Sequence, residues 1–250
     1  MTSLNDQLRS LAAKGGKADS EHPELDWSHP APRLAFWQRP IASGIVNQFI
    51  GGEEATARLC AAVAPQMDLQ AARDCLLVQV EDERRHADMY RRYLARLNGR
   101  PSQQNLLDDA VTRSLSWRGA PEAALLAFHV IVEGEALAFQ ETARNQIPDP
   151  LFDAMSRQIA KDEARHIAFG RLYLSQSLPH LPLQERIELY RWLRALWFEG
   201  TARLSSGPLG NVIATAMPRR WMQKRWEHWH TALEAAGLFD GAEASDFPVS

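Results

Sequence analysis

The chain has 250 residues, of which 45% are hydrophobic and 24% charged, with a net charge of −3. That length supports one large domain or two small ones around a substantial core, and the composition is neither that of a disordered chain nor basic enough to draw it to nucleic acid or an anionic membrane. No apolar run reaches the length of about eighteen residues needed to span a bilayer, and Met1 to Gly16 lacks the apolar segment of a secretory signal. The two cysteines, Cys60 and Cys75, form no Cys-x-x-Cys pair, so the expected compartment is the reducing cytoplasm.

Residues 1–40 are polar at first and then rich in Pro and aromatics ("HPELDWSHPAPRLAFWQRP"), which predicts an arm lying over a body. From Ile41 the apolar residues recur at three and four, predicting long helices at about 41–64, 68–97, 121–147 and 149–178. "NGRP" at 98–101 closes the second and "IPDP" at 147–150 separates the third from the fourth. A lesser helix is expected over 103–116, and two more over about 183–205 and 209–236. No alternating β-branched strand stands out, so the fold class is all-α. The expected organisation is an arm (1–40), a four-helix bundle (41–178), added helices packing on it (179–236) and a tail (237–250).

Two of the 8 histidines follow matching lead-ins, "DERRH" at 82–86 and "DEARH" at 162–166, 80 residues apart. Both copies fall inside predicted helices, where residues three apart share a face. Glu83 and His86 therefore point one way, as do Glu163 and His166, and each pair is a two-point metal grip. Thirty residues before each motif glutamate stands another glutamate, Glu53 before Glu83 and Glu133 before Glu163. Both lie in apolar surroundings, "NQFIGGEEATA" and "FHVIVEGEALAF", where a charge is costly unless compensated. Two helical hairpins, each supplying one Glu and one Glu-x-x-His, follow the ligand plan of di-iron and di-manganese carboxylate bundles. Four carboxylates and two imidazoles suit two divalent irons or a manganese–iron pair better than zinc.

Over about residues 41–178 the sequence resembles the ferritin-like di-iron superfamily. Within it "GEEA", "VEGEALAF" and "PDPLFDAMSRQIAKDEARHIAFG" are similar to aldehyde-deformylating oxygenases and the ribonucleotide reductase small subunit, and di-iron arylamine N-oxygenases share the plan. The resemblance implies that Glu53, Glu83, His86, Glu133, Glu163 and His166 hold the metals, with Glu83 and Glu163 as bridges. Two neighbours compete for these roles. Glu54 stands beside Glu53, but Glu53 shares its face with Phe49, Ile50, Ala57 and Cys60, whereas Glu54 lies four before Arg58, a pairing of a solvated face. Glu135 competes with Glu133, and the family pattern favours the Glu of "VEG".

The resemblance also gives Asp82 and Asp162 a part, each accepting the outer ring N–H of the opposite motif's histidine, Asp82 from His166 and Asp162 from His86. The plainer alternative pairs each with Arg85 or Arg165 on a solvated face. Tyr90, four past His86, stands at the offset of the reductase radical tyrosine and is a candidate for one-electron chemistry, against a plain packing role. The second motif has Gly170 at that offset. His129, four before Glu133, is an outer-shell candidate or an extra ligand, against the alternative of a hydrogen-bonded core histidine. Cys60 reads as packing. The basic, Trp-bearing "RRWMQKRWEHWH" at 219–230 suits a cap over the bundle better than a membrane-surface or nucleic-acid helix.

The expected function is an oxygen-dependent di-iron oxidase or oxygenase acting on a small, largely apolar organic molecule, by hydroxylation, N-oxygenation, desaturation or oxidative C–C cleavage. It would draw on an external electron donor such as a reductase or ferredoxin and work as a monomer or homodimer. The alternative is ferritin-type iron oxidation and storage or peroxide detoxification, against which stand about 70 residues, 179–250, beyond the bundle. A metal-free interaction module would leave buried ionisable groups uncompensated.

Overall fold

A computed structural model describes residues 3–16, 23–102, 112–206 and 219–249. Among them there are helices, turns and irregular segments, and no strand. In chain order the long helices are α1 (Leu4–Gly15), α2 (Gln38–Val63), α3 (Gln70–Arg96), α4, α5 (Pro150–Ser177), α6 (Leu183–Ser206) and α7 (Arg219–Ala235). The fourth is composite: a short α-helical start at Glu122–Leu125, a π-helical segment at Leu126–Val132, and an α-helix at Glu133–Gln146. The expected helix over 103–116 falls largely outside the described residues, as do residues 209–218 of the expected last helix.

The helix ends follow local chemistry. At the start of α5, Asp149 accepts a hydrogen bond from the Leu151 amide at 3.1 Å, and Pro150 occupies the first helical position. Tyr93 Oη donates to the same carboxylate at 2.7 Å, tying α3 to the α4–α5 corner. At the end of α3, Asn98 adopts φ 52° and the Gly99 amide bonds back to Leu94 O at 3.0 Å, a Schellman closure.

α2 and α3 pack along one another as one hairpin, and α4 and α5 form the second; α5 also packs against α3. Two apolar clusters result. One gathers Val46, Phe49, Tyr90, Phe152 and Ile159 toward one end of the bundle. The other, with Leu59, Leu76, Leu125, Phe128, Phe169 and Trp226, fills the opposite end and continues under α6 and α7. The buried acidic and imidazole side chains sit where the two clusters meet.

The amino-terminal stretch departs from a simple arm. Its first part is α1, which packs against α3 and α5. Leu8 is fully buried in the core, and Cys75 Sγ donates to Leu8 O at 3.3 Å. Ser3 caps this helix by accepting the Asp6 amide at 3.2 Å, and the apolar positions Leu4, Leu8, Leu11 and Ala12 give it an inward face. Residues 23–36 run irregularly, held by Arg96, which donates to the Trp27 carbonyl at 2.7 Å and to the His29 carbonyl, and by Arg92 lying 4.1 Å over the Trp27 ring. At the carboxyl end, α7 buries Trp226 and Trp229, as a cap with an apolar face does. Gly134 lets Trp229 approach: a Cβ there would lie 2.3 Å from the indole.

Candidate metal centre

One glutamate comes from each of α2 and α4, and one Glu-x-x-His pair from each of α3 and α5. Glu83, His86, Glu133, Glu163 and His166 are buried, with Glu53 at the solvent-facing edge, its side chain 12% exposed. The potential ligand atoms form two groups, each within 4.8 Å: Glu53, Glu83, His86 and Glu163 in one, Glu83, Glu133, Glu163 and His166 in the other. Glu83 and Glu163 are common to both.

The ring orientations match a metal site. His86 Nδ1 faces inward, 3.3 Å from Glu163 Oε1, 3.6 Å from Glu83 Oε2 and 3.7 Å from Glu53 Oε2. His166 Nδ1 faces Glu163 Oε2 at 3.0 Å and Glu83 Oε1 at 3.3 Å. The outer nitrogens cross the bundle: His86 Nε2 lies 3.1 Å from Asp162 and His166 Nε2 lies 3.1 Å from Asp82. The arginine pairings are present as well. Arg85 donates at 2.8 Å to both Asp82 and Asp162, and Arg165 to Asp162 at 2.9 Å and to Asp82. The two readings of the aspartates are therefore not exclusive: each carboxylate has enough lone pairs to accept from one histidine and two guanidiniums.

Crowding four carboxylates into a dry centre sets their protonation. Burial, then the Glu163 charge, pushes the Glu83 and Glu133 carboxyls well above the usual carboxylate range. Burial acts the same way on Glu163, but the His166 charge and hydrogen bond and the nearby His86 charge outweigh it and hold this carboxyl low. His166 rises to about 9, because the Glu163 charge and the Asp82 hydrogen bond overcome the cost of burial, and His86 is raised by the matching set. These protons are the ones divalent cations displace. Glu83 Oε2 and His86 Nδ1 are buried without any hydrogen-bond partner; orphaned inward-facing donor atoms, in an all-oxygen and imidazole set, fit two iron or manganese ions.

The competing glutamates lie elsewhere. Glu54 pairs with Arg91 of α3, a partner from the neighbouring helix. Glu135 accepts from Arg225 Nε and Trp229 Nε1, both at 2.9 Å, and so anchors α7 to α4. His129 is not in either ligand group: its Nε2 meets Gln79 Oε1 at 2.9 Å, and burial with the nearby His166 charge lowers it to about 3. Tyr90 is fully buried, stacked on Phe49 with ring centroids 4.8 Å apart, and its Oη accepts from Gln140 Nε2 at 3.0 Å. Burial and the Glu53 charge push its phenol up, so it is neutral. Cys60 is fully buried in the core, its thiol held protonated by burial and the neighbouring carboxylates.

Sequence reasoning did not single out Gln79 or Gln140. Gln79 Nε2 donates to Glu83 Oε1 at 3.0 Å and Glu133 Oε1 at 3.1 Å. A buried amide one turn before a ligand was the available signal. Above the carboxylates lies a cavity of about 40 Å³, walled by Phe49, Phe128, Val132, Leu137 and Ile159 with Thr56 and Gln140 as its neutral polar groups.

Comparison with known proteins places the chain. The sequence model of the p-aminobenzoate N-oxygenase AurF family matches residues 56–240, a span that begins three residues beyond Glu53 and contains the other five candidate ligands. A comparison with curated protein sequences returns no match. Among solved structures the chain is similar to a variant R2-like ligand-binding oxidase with an anaerobically reconstituted Mn/Fe cofactor, with a TM-score of 0.65 and 19% identity, covering 89% of this chain and 91% of that one. It is likewise similar to the R2-like ligand-binding oxidase from Sulfolobus acidocaldarius, with a TM-score of 0.64 and 18% identity, covering 96% of this chain and 93% of that one. No helix among the described residues is long and apolar enough to cross a membrane. With the family match covering most of its length, the chain belongs to the AurF N-oxygenase family and is an oxygen-using di-iron oxidase or oxygenase of the ferritin-like superfamily.

Proposed function

We propose that the chain transfers one oxygen atom from dioxygen to the nitrogen of a small, largely apolar aromatic amine, with two irons, or a manganese–iron pair, held by Glu53, Glu83, His86, Glu133, Glu163 and His166. The convergence of these six side chains, five of them buried, carries the reading. Glu83 and Glu163, common to both groups, would serve both metals, and the inward-facing Nδ1 of each histidine would hold one. Metal bound there supplies the reducing electrons and Lewis acidity that dioxygen activation needs. The choice of an amine nitrogen rests on family membership. For hydroxylamine formation the balance is one oxygen atom to the amine and the other to water, with two electrons and two protons taken up; the electrons come from an external reductase or ferredoxin.

The chain's own residues set the conditions. Asp82 and Asp162 hold the outer nitrogens of His166 and His86, which fixes each ring with Nδ1 inward. Phe49, Phe128, Val132, Leu137 and Ile159 exclude bulk water from the carboxylates. A cavity of about 40 Å³ takes dioxygen or roughly three waters. An aromatic ring needs the wall to move, and its smallest side chains are at the half-buried Gly52 and Ala136. No cation is among the described lining residues, so nothing there favours an anionic group on the substrate. Tyr90 is the proposed one-electron side chain. Free Cys60 and Cys75 suit a reducing cytoplasm, with the chain working as a monomer or homodimer.

The test is anaerobic loading with ferrous iron, then exposure to ¹⁸O-labelled dioxygen with a reductant and a panel of anilines, phenols and fatty aldehydes. Two irons per chain and label on the aniline nitrogen are expected. Label on carbon alone, or a growing ferric mineral with no organic product, would replace the reading.

A further inference from the structure

The two halves of the centre are supported differently, and the difference lies in groups that do not touch a metal. Gln79 is 1% exposed, and a buried amide needs partners on both of its ends. Its nitrogen donates to Glu83 Oε1 and Glu133 Oε1. Once metal displaces their protons both carboxylates only accept, so the amide keeps its nitrogen toward them and its oxygen facing away. There it meets His129 Nε2 at 2.9 Å. An amide oxygen accepts only, so His129 carries its proton on Nε2. The imidazole is itself confined: Phe169 meets it edge-on with centroids 5.4 Å apart, and Gly170 leaves its place to it, since a Cβ there would fall 2.5 Å from His129 Cβ. Burial keeps this imidazole neutral across the physiological range, so the bond does not come and go with pH.

Among the described residues nothing equivalent supports the other half. The residue four before Glu163, matching Gln79, is Ile159, and the residue four before Glu53, matching His129, is Phe49. Neither side chain can hydrogen-bond. Glu53 stands at the exposed edge of the centre, whereas Glu133 is enclosed and held.

We propose that Gln79 and His129 are positioning residues that preset the carboxylates of Glu83 and Glu133, and thereby make the metal position next to His166 the tighter and first-filled of the two. The amide holds Glu133 by Oε1 and Glu83 by its own Oε1, the oxygen 3.3 Å from His166 Nδ1, and leaves Glu83 Oε2 unbonded on the His86 side. Ligands fixed in advance lose less freedom on binding, and groups that orient ligands change metal affinity by about 10–100-fold. This inference rests on the di-metal reading of the centre.

The test is titration of the metal-free chain with Mn(II) under nitrogen. Free manganese is followed by electron paramagnetic resonance, and anomalous diffraction at one manganese per chain shows which position is filled. The native chain is expected to fill in two steps, the His166 side first. Gln79→Leu weakens the first step by about 10–100-fold and leaves the second in place. His129→Phe, which removes the amide's anchor, does the same, while His129→Gln, which keeps an N–H facing Gln79, restores two-step filling. That rescue separates positioning from general packing and holds even if Gln79→Leu folds poorly. Unchanged two-step filling in Gln79→Leu and His129→Phe, or equal weakening of both steps, overturns the inference and leaves the metal centre standing. A native chain that takes up no manganese overturns both.

Discussion

The α2–α3 and α4–α5 hairpins carry the same motif in different surroundings. In the first, the place four past the histidine holds Tyr90, stacked on Phe49 and bonded to Gln140. In the second that place is Gly170, and His129 fills the room, bonded to Gln79. α2 is regular throughout, whereas α4 passes through a π-helical segment at Leu126–Val132 immediately before Glu133. Such segments shift the side-chain register by inserting a residue into the helical ladder, and they are common at functional sites. The ligand plan is nearly two-fold; its supports are not. Symmetry therefore stops at the outer ring of aspartates and arginines, and the two metal positions are chemically distinct.

The severest way to break the comparison is to remove a shared carboxylate. Glu163→Ala takes a ligand from both positions, and metal-dependent oxygen consumption is expected to vanish while circular dichroism keeps its helical signal; unchanged consumption would dismiss the assignment. Next come the symmetry-related aspartates. Asp82→Asn and Asp162→Asn each replace an acceptor of one histidine and two guanidiniums, and each is expected to weaken metal binding by about 10–100-fold, with His166 affected in the first and His86 in the second. If chelator competition showed one aspartate to be dispensable, the outer ring would be less symmetric than its geometry.

Protonation sharpens the same picture. His166 is raised to about 9 and must release its proton to bind metal. Proton competition therefore weakens metal binding below that value, and apparent affinity should climb as pH rises toward 9 in calorimetric titrations. A flat profile between pH 6 and 8 would remove this competition from the account.

Two smaller effects separate the halves directly. Gly170→Ala relieves the helix of a glycine, worth about 1 kcal/mol, but places a Cβ 2.5 Å from His129 Cβ, and overpacking of that kind costs about 1–3 kcal/mol. The clash is expected to win, lowering Tm by a few degrees; a rise in Tm would mean that the His129 ring shifts freely. Tyr90→Phe removes the acceptor for Gln140 Nε2 and is expected to cost about 1–2 kcal/mol of stability through the unsatisfied amide. Loss of any oxygen-induced radical signal in this variant would place the one-electron chemistry on Tyr90, and its persistence would move that chemistry elsewhere.

Much of this was legible in the chain because its cues are local. The two Asp-Glu-x-Arg-His runs and the glutamates thirty residues before them follow from helical spacing and the length of a helical hairpin, which needs no knowledge of packing. The choice of Glu53 over Glu54 could also be read from the apolar company of one face, although Glu54 turned out to pair with Arg91 across the hairpin. Other features had no local mark. Gln79 and Gln140 are neutral amides whose meaning lies in partners 50 and 54 residues away in sequence. α1 is short and mostly polar, and its burial depends on Gly15 fitting against Val78 and Arg165. The π-helical segment is hidden in a continuous apolar run, "LAFHVIV", where any register looks equally apolar.

By itself the sequence determined an all-α chain and two equivalent helices that each set a Glu and a His on one face, because periodicity at three and four residues sets which groups share a face before anything packs; the preference for Glu133 over Glu135 came from the family resemblance. Only the tertiary structure decided that each aspartate meets the opposite histidine and two arginines at once, that Gly170 admits His129, and that one half of the centre is braced by an amide while the other is not. Those outcomes depend on which atoms meet across helices, and contact between distant segments is settled by volume and hydrogen-bond satisfaction in the packed interior.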